Sequence, residues 1–150
     1  MNEIKNQMKL TFMSVPENVP LARITVATFA SQLEFSIEDL EEIKVAASEA
    51  VSNCIIHGYK GDPNYSISIV CTIYLDLLEI TVEDQGVGIA DVSRAMQPAF
   101  STEDDRMGLG FTFMQSFMDK LDVKSSINQG TKVTMVKRPM DVAAVALEEN

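Results

Sequence analysis

The sequence predicts a two-layer α/β sandwich, α+β in class, with a mixed, largely antiparallel sheet that carries its helices on one face. Three observations predict it. The elements run in the order β-α-α-β-β-α-α-β-β. Short turns join neighbouring strands, which makes those pairs antiparallel. The helices between them have one apolar side each, which a single sheet face can cover. With 150 residues, 46% of them hydrophobic, the chain can bury about 70% of its unfolded surface, enough for one core.

Met8, Leu10 and Phe12 alternate with polar residues and predict a first strand, ended by Val15-Pro16-Glu17-Asn18-Val19-Pro20. A helix over 21–33 follows, with Leu21, Ile24, Phe29 and Leu33 near helical spacing and Arg23 off that stripe. Ser36 and Asp39 form a capping-box pattern. The helix they open buries Leu40, Ile43, Ala47, Ala50 or Val51, and Cys54, with Gly58 expected as its C-cap. After the turn Gly61-Asp62-Pro63-Asn64, Ile67, Ile69, Cys71 and Ile73 alternate with polar residues, then Leu78, Ile80 and Val82 do the same, a hairpin turning near Leu75-Asp76. A short helix around 91–96, a polar loop through Glu103-Asp104-Asp105-Arg106, a helix over 111–120 and strands at 121–126 and 131–136 complete the chain.

Composition excludes several functions. Lys and Arg number 12 against 22 Asp and Glu, a net charge of -10, so the chain repels a nucleic-acid backbone. No apolar run is long enough to span a membrane, and the N-terminus lacks a signal peptide's apolar core, so the expected location is the cytoplasm. Cys54 and Cys71 sit in apolar patterns and are expected as buried, reduced thiols; one histidine argues against a zinc site.

Three places could carry chemistry. Glu49 and Asn53 stand one helical turn apart, on a stripe other than the core face, so a carboxylate and an amide project together. A solvated helix face explains such an isolated pair as well. Asp84 ends an apolar strand and precedes Gly86 and Gly88, which permit close approach of a flat ligand, although a plain turn uses the same residues. Gly108-Leu109-Gly110 precedes a helix, where free N–H groups favour an anion; a flexible joint has similar glycines. His57 reads as structural or as a pocket edge. No P-loop, dinucleotide fingerprint or protein-kinase motif set is present.

Taken in order, Glu49-Ala50-Val51-Ser52-Asn53, Asp84-Gln85-Gly86-Val87-Gly88 and Gly108-Leu109-Gly110 resemble the N, G1 and G2 boxes of the Bergerat-fold ATPase/kinase superfamily. Length and further blocks make the chain most similar to its small serine kinases that act as anti-sigma factors, above all the sporulation group that inhibits sigma F. Those blocks are Ala22-Arg23-Ile24-Thr25-Val26-Ala27, Ile55-Ile56-His57-Gly58-Tyr59, Gln97-Pro98-Ala99-Phe100-Ser101-Thr102, and Gly108 to Met114 with Phe117-Met118-Asp119. The resemblance implies the Bergerat ATP-binding fold, with one kinase domain over 1–136 and a tail over 137–150 that matches nothing in the group. It implies ATP and Mg2+ as cofactors. Asp84 would take the adenine amine, Gly86 and Gly88 would make room for the base, Ile89 would wall the pocket and Thr131 would support adenine through a water. Asn53 would hold Mg2+, Gly108, Leu109 and Gly110 would wrap the phosphates, Arg106 would stabilise the transferring phosphoryl group, and Glu49 would activate the attacking serine.

The implied partners are a sigma factor, held inactive, and an anti-anti-sigma factor phosphorylated on serine, with Arg23 as a partner contact and a homodimer as the assembly. A general stress-response anti-sigma kinase, or a non-catalytic ATP-gated sigma-binding module, would carry the same boxes. The loop before Gly108 departs from the group: it is shorter, more acidic and has no basic residue directly after Thr102.

Overall fold

The computed structural model describes residues 3–97 and 106–140, apart from the Arg106 side chain. β1 (Asn6–Met13), α1 (Asn18–Ala30), α2 (Ile37–Asn53), β2 (Ser66–Ile73), β3 (Leu78–Asp84), the short α3 (Val92–Ala95), α4 (Arg106–Phe117), β4 (Lys120–Ser125) and β5 (Thr131–Lys137) follow the predicted order. The expected loop at 103–105 and most of the tail lie outside the described residues.

The sheet is ordered β1-β2-β3-β5-β4, and each of its four pairings is antiparallel. β3 pairs with β5 rather than with β4, so the β4 and β5 hairpin enters the sheet by its second strand. Asp84 therefore stands opposite Thr131. The period-2 pattern sends Ile67, Ile69, Cys71, Leu78, Ile80, Val82, Val133 and Met135 into the core beneath the helices. The opposite face is polar, with Gln7 donating to Thr72 (2.9 Å) and Thr11 beside Ser68 (3.3 Å).

α2 lies between α1 and α4. The Ser36 hydroxyl accepts the Asp39 N–H (3.0 Å) while the Asp39 carboxylate accepts the Ser36 N–H (3.4 Å), the expected capping box, worth about 1 kcal/mol. Its end differs from expectation. A π-helical turn, Cys54–Gly58, continues it, and Tyr59 rather than Gly58 caps that turn.

Two further expectations are corrected. In α1 the buried residues are Ala22, Val26, Ala27, Phe29 and Ala30, while Leu21 and Ile24 are 48% and 60% exposed. Small side chains let α1 approach α2, whose Ala46, Ala47 and Ala50 are buried in turn. α4 begins at Arg106, not at Phe111, so Gly108 and Gly110 lie inside the helix. At the far end of α4, the Lys137 ammonium is buried, pairs with Glu42 (3.4 Å) and Asp39 (3.9 Å), and donates to the Phe117 carbonyl. It ties β5 to both helices.

Candidate functional site

The site forms where β3 ends, beside the start of β5 and the π-turn. Asp84 is only 3% exposed, and its Oδ1 accepts the Gly86 N–H at 2.9 Å. The segment after it is clamped. Tyr59 accepts the Gln85 N–H through its phenol oxygen (2.7 Å) and donates to the Ser66 carbonyl (2.6 Å). The Gly58 carbonyl accepts the Val87 N–H (2.9 Å). A Cβ on Gly86 would fall 2.1 Å from that carbonyl oxygen, so only glycine fits there. Gly88 has φ 75, the left-handed region that glycine enters freely. Ile89 then donates its N–H to Ser125 Oγ (2.7 Å), and Ser125 Oγ lies 2.8 Å from Thr131 Oγ1.

Burial raises the pKa of Asp84; the Gly86 N–H, the Cys54 thiol and the Thr131 backbone oppose that rise. The Cys54 thiol is pushed well up, first by burial and then by the Asp84 charge. Burial lifts Cys71 to about 12. Both cysteines are free and buried, as their sequence pattern predicts.

One cleft gathers the predicted residues Asn53, Asp84, Gly88, Ile89 and Thr131, which come from α2, β3, the following turn and β5. His57 lines it too, at its edge. Glu49 stands beside it: a Cβ on Gly110 would lie 2.9 Å from Glu49 Oε2 and 3.4 Å from Asn53 Nδ2. Thus α4 crosses directly over the acid and amide of α2. Gly86 borders a neighbouring hollow, Leu109 points largely to solvent, and Gly108 faces the outer part of the cleft. Arg106 opens α4. Arg23 lies apart on α1, its guanidinium 3.4 Å from the hydroxyl of Ser48, the neighbour of Glu49. The block 98–102 lies outside the described residues.

Sequence reasoning missed the Tyr59 and Ser125 clamps, and it missed Met107 and Phe111 as cleft walls. Beneath those two side chains the free space is about 20 Å3, room for a single water. A flat ring needs more room than this. Met107 and Phe111 follow the i,i+4 rule that puts both on one helix face, a signal available once α4 is begun at Arg106.

The cleft presents one buried carboxylate acceptor and one buried amide nitrogen. Asp84 offers a buried acceptor; Asn53 offers an amide whose Nδ2 is buried with no hydrogen-bond partner. The N-terminal end of α4 reaches the outer part of the cleft through Met107 and Gly108, and a helix N-terminus favours an anion.

Comparison with known proteins agrees with that geometry. Residues 12–137 match the histidine kinase-like ATPase domain family. An anti-sigma F factor of Oceanobacillus iheyensis is 44% identical over 137 residues, 90% of this chain and 94% of the relative. One of Geobacillus kaustophilus is 47% identical over 136 residues, 89% and 93% of the two chains. Another, of a Thermoanaerobacter species, is 48% identical over 137 residues, 90% and 95%. Among solved structures, a Mycobacterium tuberculosis protein containing RsbU and RsbW domains superposes with TM-score 0.62 at 16% identity, over 89% of this chain and 32% of that one. A blue-light activated histidine kinase of Erythrobacter litoralis gives TM-score 0.55 at 19% identity, over 74% and 34%. These two likenesses establish the fold. Among the described residues, no helix is long and apolar enough to cross a membrane.

Proposed function

We propose a function from the premise that the chain belongs to the histidine kinase-like ATPase domain family. It is an anti-sigma factor and serine/threonine protein kinase that holds a sigma F-like factor inactive and phosphorylates a serine of an anti-anti-sigma factor with ATP. The observation that carries this reading is one cleft that collects Asn53, Asp84, Gly88, Ile89 and Thr131 with Glu49 at its edge. Anti-sigma F factors similar over nine-tenths of the chain supply the partner class.

Asp84 accepts a hydrogen bond from the adenine amine. Gly86 and Gly88 keep the backbone thin beside the base, Ile89 walls it, and Thr131 supports it through a water. Asn53 and Glu49 are oxygen donors of the kind Mg2+ takes, and the unpartnered Asn53 Nδ2 suits a phosphate oxygen, so the residues fit a metal-bound triphosphate held through Asn53. Mg2+ neutralises phosphate charge when bound. N–H groups around Gly108, Leu109 and Gly110, with Arg106, hold the tail. The substrate serine oxygen attacks the γ-phosphorus, the bond to the β-phosphate oxygen breaks to release ADP, and Glu49 orients the hydroxyl and takes its proton.

The partner surface lies on α1, with Arg23 on the side toward Ser48 and the exposed Leu21 and Ile24 on another side, Ile24 sharing a hollow with Ile37. The working assembly is a homodimer in the cytoplasm, and residues 1–136 act as the kinase domain with 137–150 as a tail. The test is the intact mass of an anti-anti-sigma protein after incubation with this chain, ATP and Mg2+. A single added phosphate on serine, absent with Glu49→Gln that still binds ATP, is expected. Nucleotide binding without transfer would overturn the kinase and leave an ATP-gated binder; full transfer by Glu49→Gln would overturn the role of Glu49.

A further inference from the structure

Outside the inner pocket the cleft widens into a second chamber, and two cations converge on it. Lys60, just past the π-turn, and Arg94, in α3, line this chamber together with His57, Gly108 and Met107. It shares His57, Gly88, Ile89 and Met107 with the pocket around Asp84, so the two are one continuous channel. Both cations are exposed, and among the described residues neither forms an ion pair. Lys60 sits at φ 54, a left-handed conformation uncommon for lysine. Asp91 also lines the chamber, but its Oδ1 is engaged by the Arg94 N–H at 3.1 Å as the cap of α3.

We propose that Lys60 and Arg94 are further polyphosphate-binding residues of this site, a cationic gate through which the anionic tail of the nucleotide leaves the base pocket. The inference rests on the nucleotide reading above and adds to it two side chains that lie outside all three glycine and acid-amide boxes. A ligand anchored at Asp84 and extending past Ile89 and Met107 emerges between them, beside the start of α4. In a chain of net charge -10, a chamber lined by Lys60, Arg94 and Asp91 carries a net positive charge of one, opposite in sign to the whole.

The experiment titrates ATP, ADP and adenosine, with Mg2+, into the wild type, Lys60→Ala, Arg94→Ala, the double variant, and Lys9→Ala on the exposed sheet face as a charge control. Expected is a loss of roughly three- to tenfold in ATP affinity for each single variant and a larger loss for the double, with adenosine unchanged. Lys60→Arg and Arg94→Lys should retain most of the affinity, and Lys9→Ala all of it. ATP binding tighter than adenosine in the wild type and equally so in the double variant would overturn this proposal alone. Wild-type binding of ATP no tighter than of adenosine, or no binding of either, would overturn the nucleotide reading together with it.

Discussion

Asp84 is a carboxylate that folding alone does not favour. Burial raises its pKa, so the folded state holds its proton more tightly than the unfolded chain does. By linkage, the stability tied to that proton is present below the ordinary carboxylate range and is lost as pH rises through the raised value. At neutral pH the ionised Asp84 is a cost that a structural role would not justify. Asn is nearly isosteric, stays neutral, and its Oδ1 can still accept the Gly86 N–H that Asp84 takes at 2.9 Å. Asp84→Asn should therefore melt no lower than the wild type at pH 7, with any advantage shrinking as pH falls into the carboxylate range. It should also lose most of the thermal shift that ATP and Mg2+ produce. Melting curves at two pH values, each with and without nucleotide, check both halves. A ligand-free variant that melts several degrees lower at pH 7 would mean that the carboxylate serves the fold.

At the scale of elements, α4 tells most about what the sequence shows and what it hides. Alternation made the strands legible, and Ser36 with Asp39 located the start of α2. Helical spacing alone could not tell which side of α1 faces inward, because its apolar stripe at Leu21 and Ile24 competes with an alanine side, and close approach to the alanines of α2 decides it. Gly108 and Gly110 misled for a related reason. Glycine disfavours helix, yet here it permits contact: a Cβ at Gly108 would lie 1.9 Å from the Gln97 carbonyl oxygen, and one at Gly110 would lie 2.9 Å from a carboxylate at the tip of Glu49. The site motifs were legible because each is local in sequence. Tyr59 and its grip on Gln85 were not, since that contact joins residues 26 apart. The two glycines predict opposite outcomes. Gly108→Ala meets backbone and should destabilise by about 1–3 kcal/mol. Gly110→Ala meets only a flexible tip and gains helix propensity, so its melting temperature should hold or rise, while phosphoryl transfer falls as Glu49 is pushed aside. Thermal melts alongside the transfer assay separate them, and equal destabilisation by both would show that α4 does not sit on α2 as described.

For the whole molecule, charge and closure act in the same direction. A net charge of -10 opposes an anionic ligand at long range, and α4 leaves room for a single water above Asp84. Nucleotide binding must supply the free energy to open that space and to enter that field. Mg2+ lowers the second cost by reducing the ligand's charge, so MgATP should stabilise the fold more than ATP with a chelator does. Raising the salt concentration should narrow that difference as the field is screened. At a hundredfold excess over Kd, a ligand that binds only the folded state adds about 2.7 kcal/mol. For a domain of this size that corresponds to a rise of roughly 5–10 °C in melting temperature. The shift should be largest with MgATP at low salt and smaller with ATP and chelator. Equal shifts with and without Mg2+ would remove the metal from the site. An unchanged melting temperature under every condition would mean that the cleft between α2 and α4 does not take a nucleotide at all.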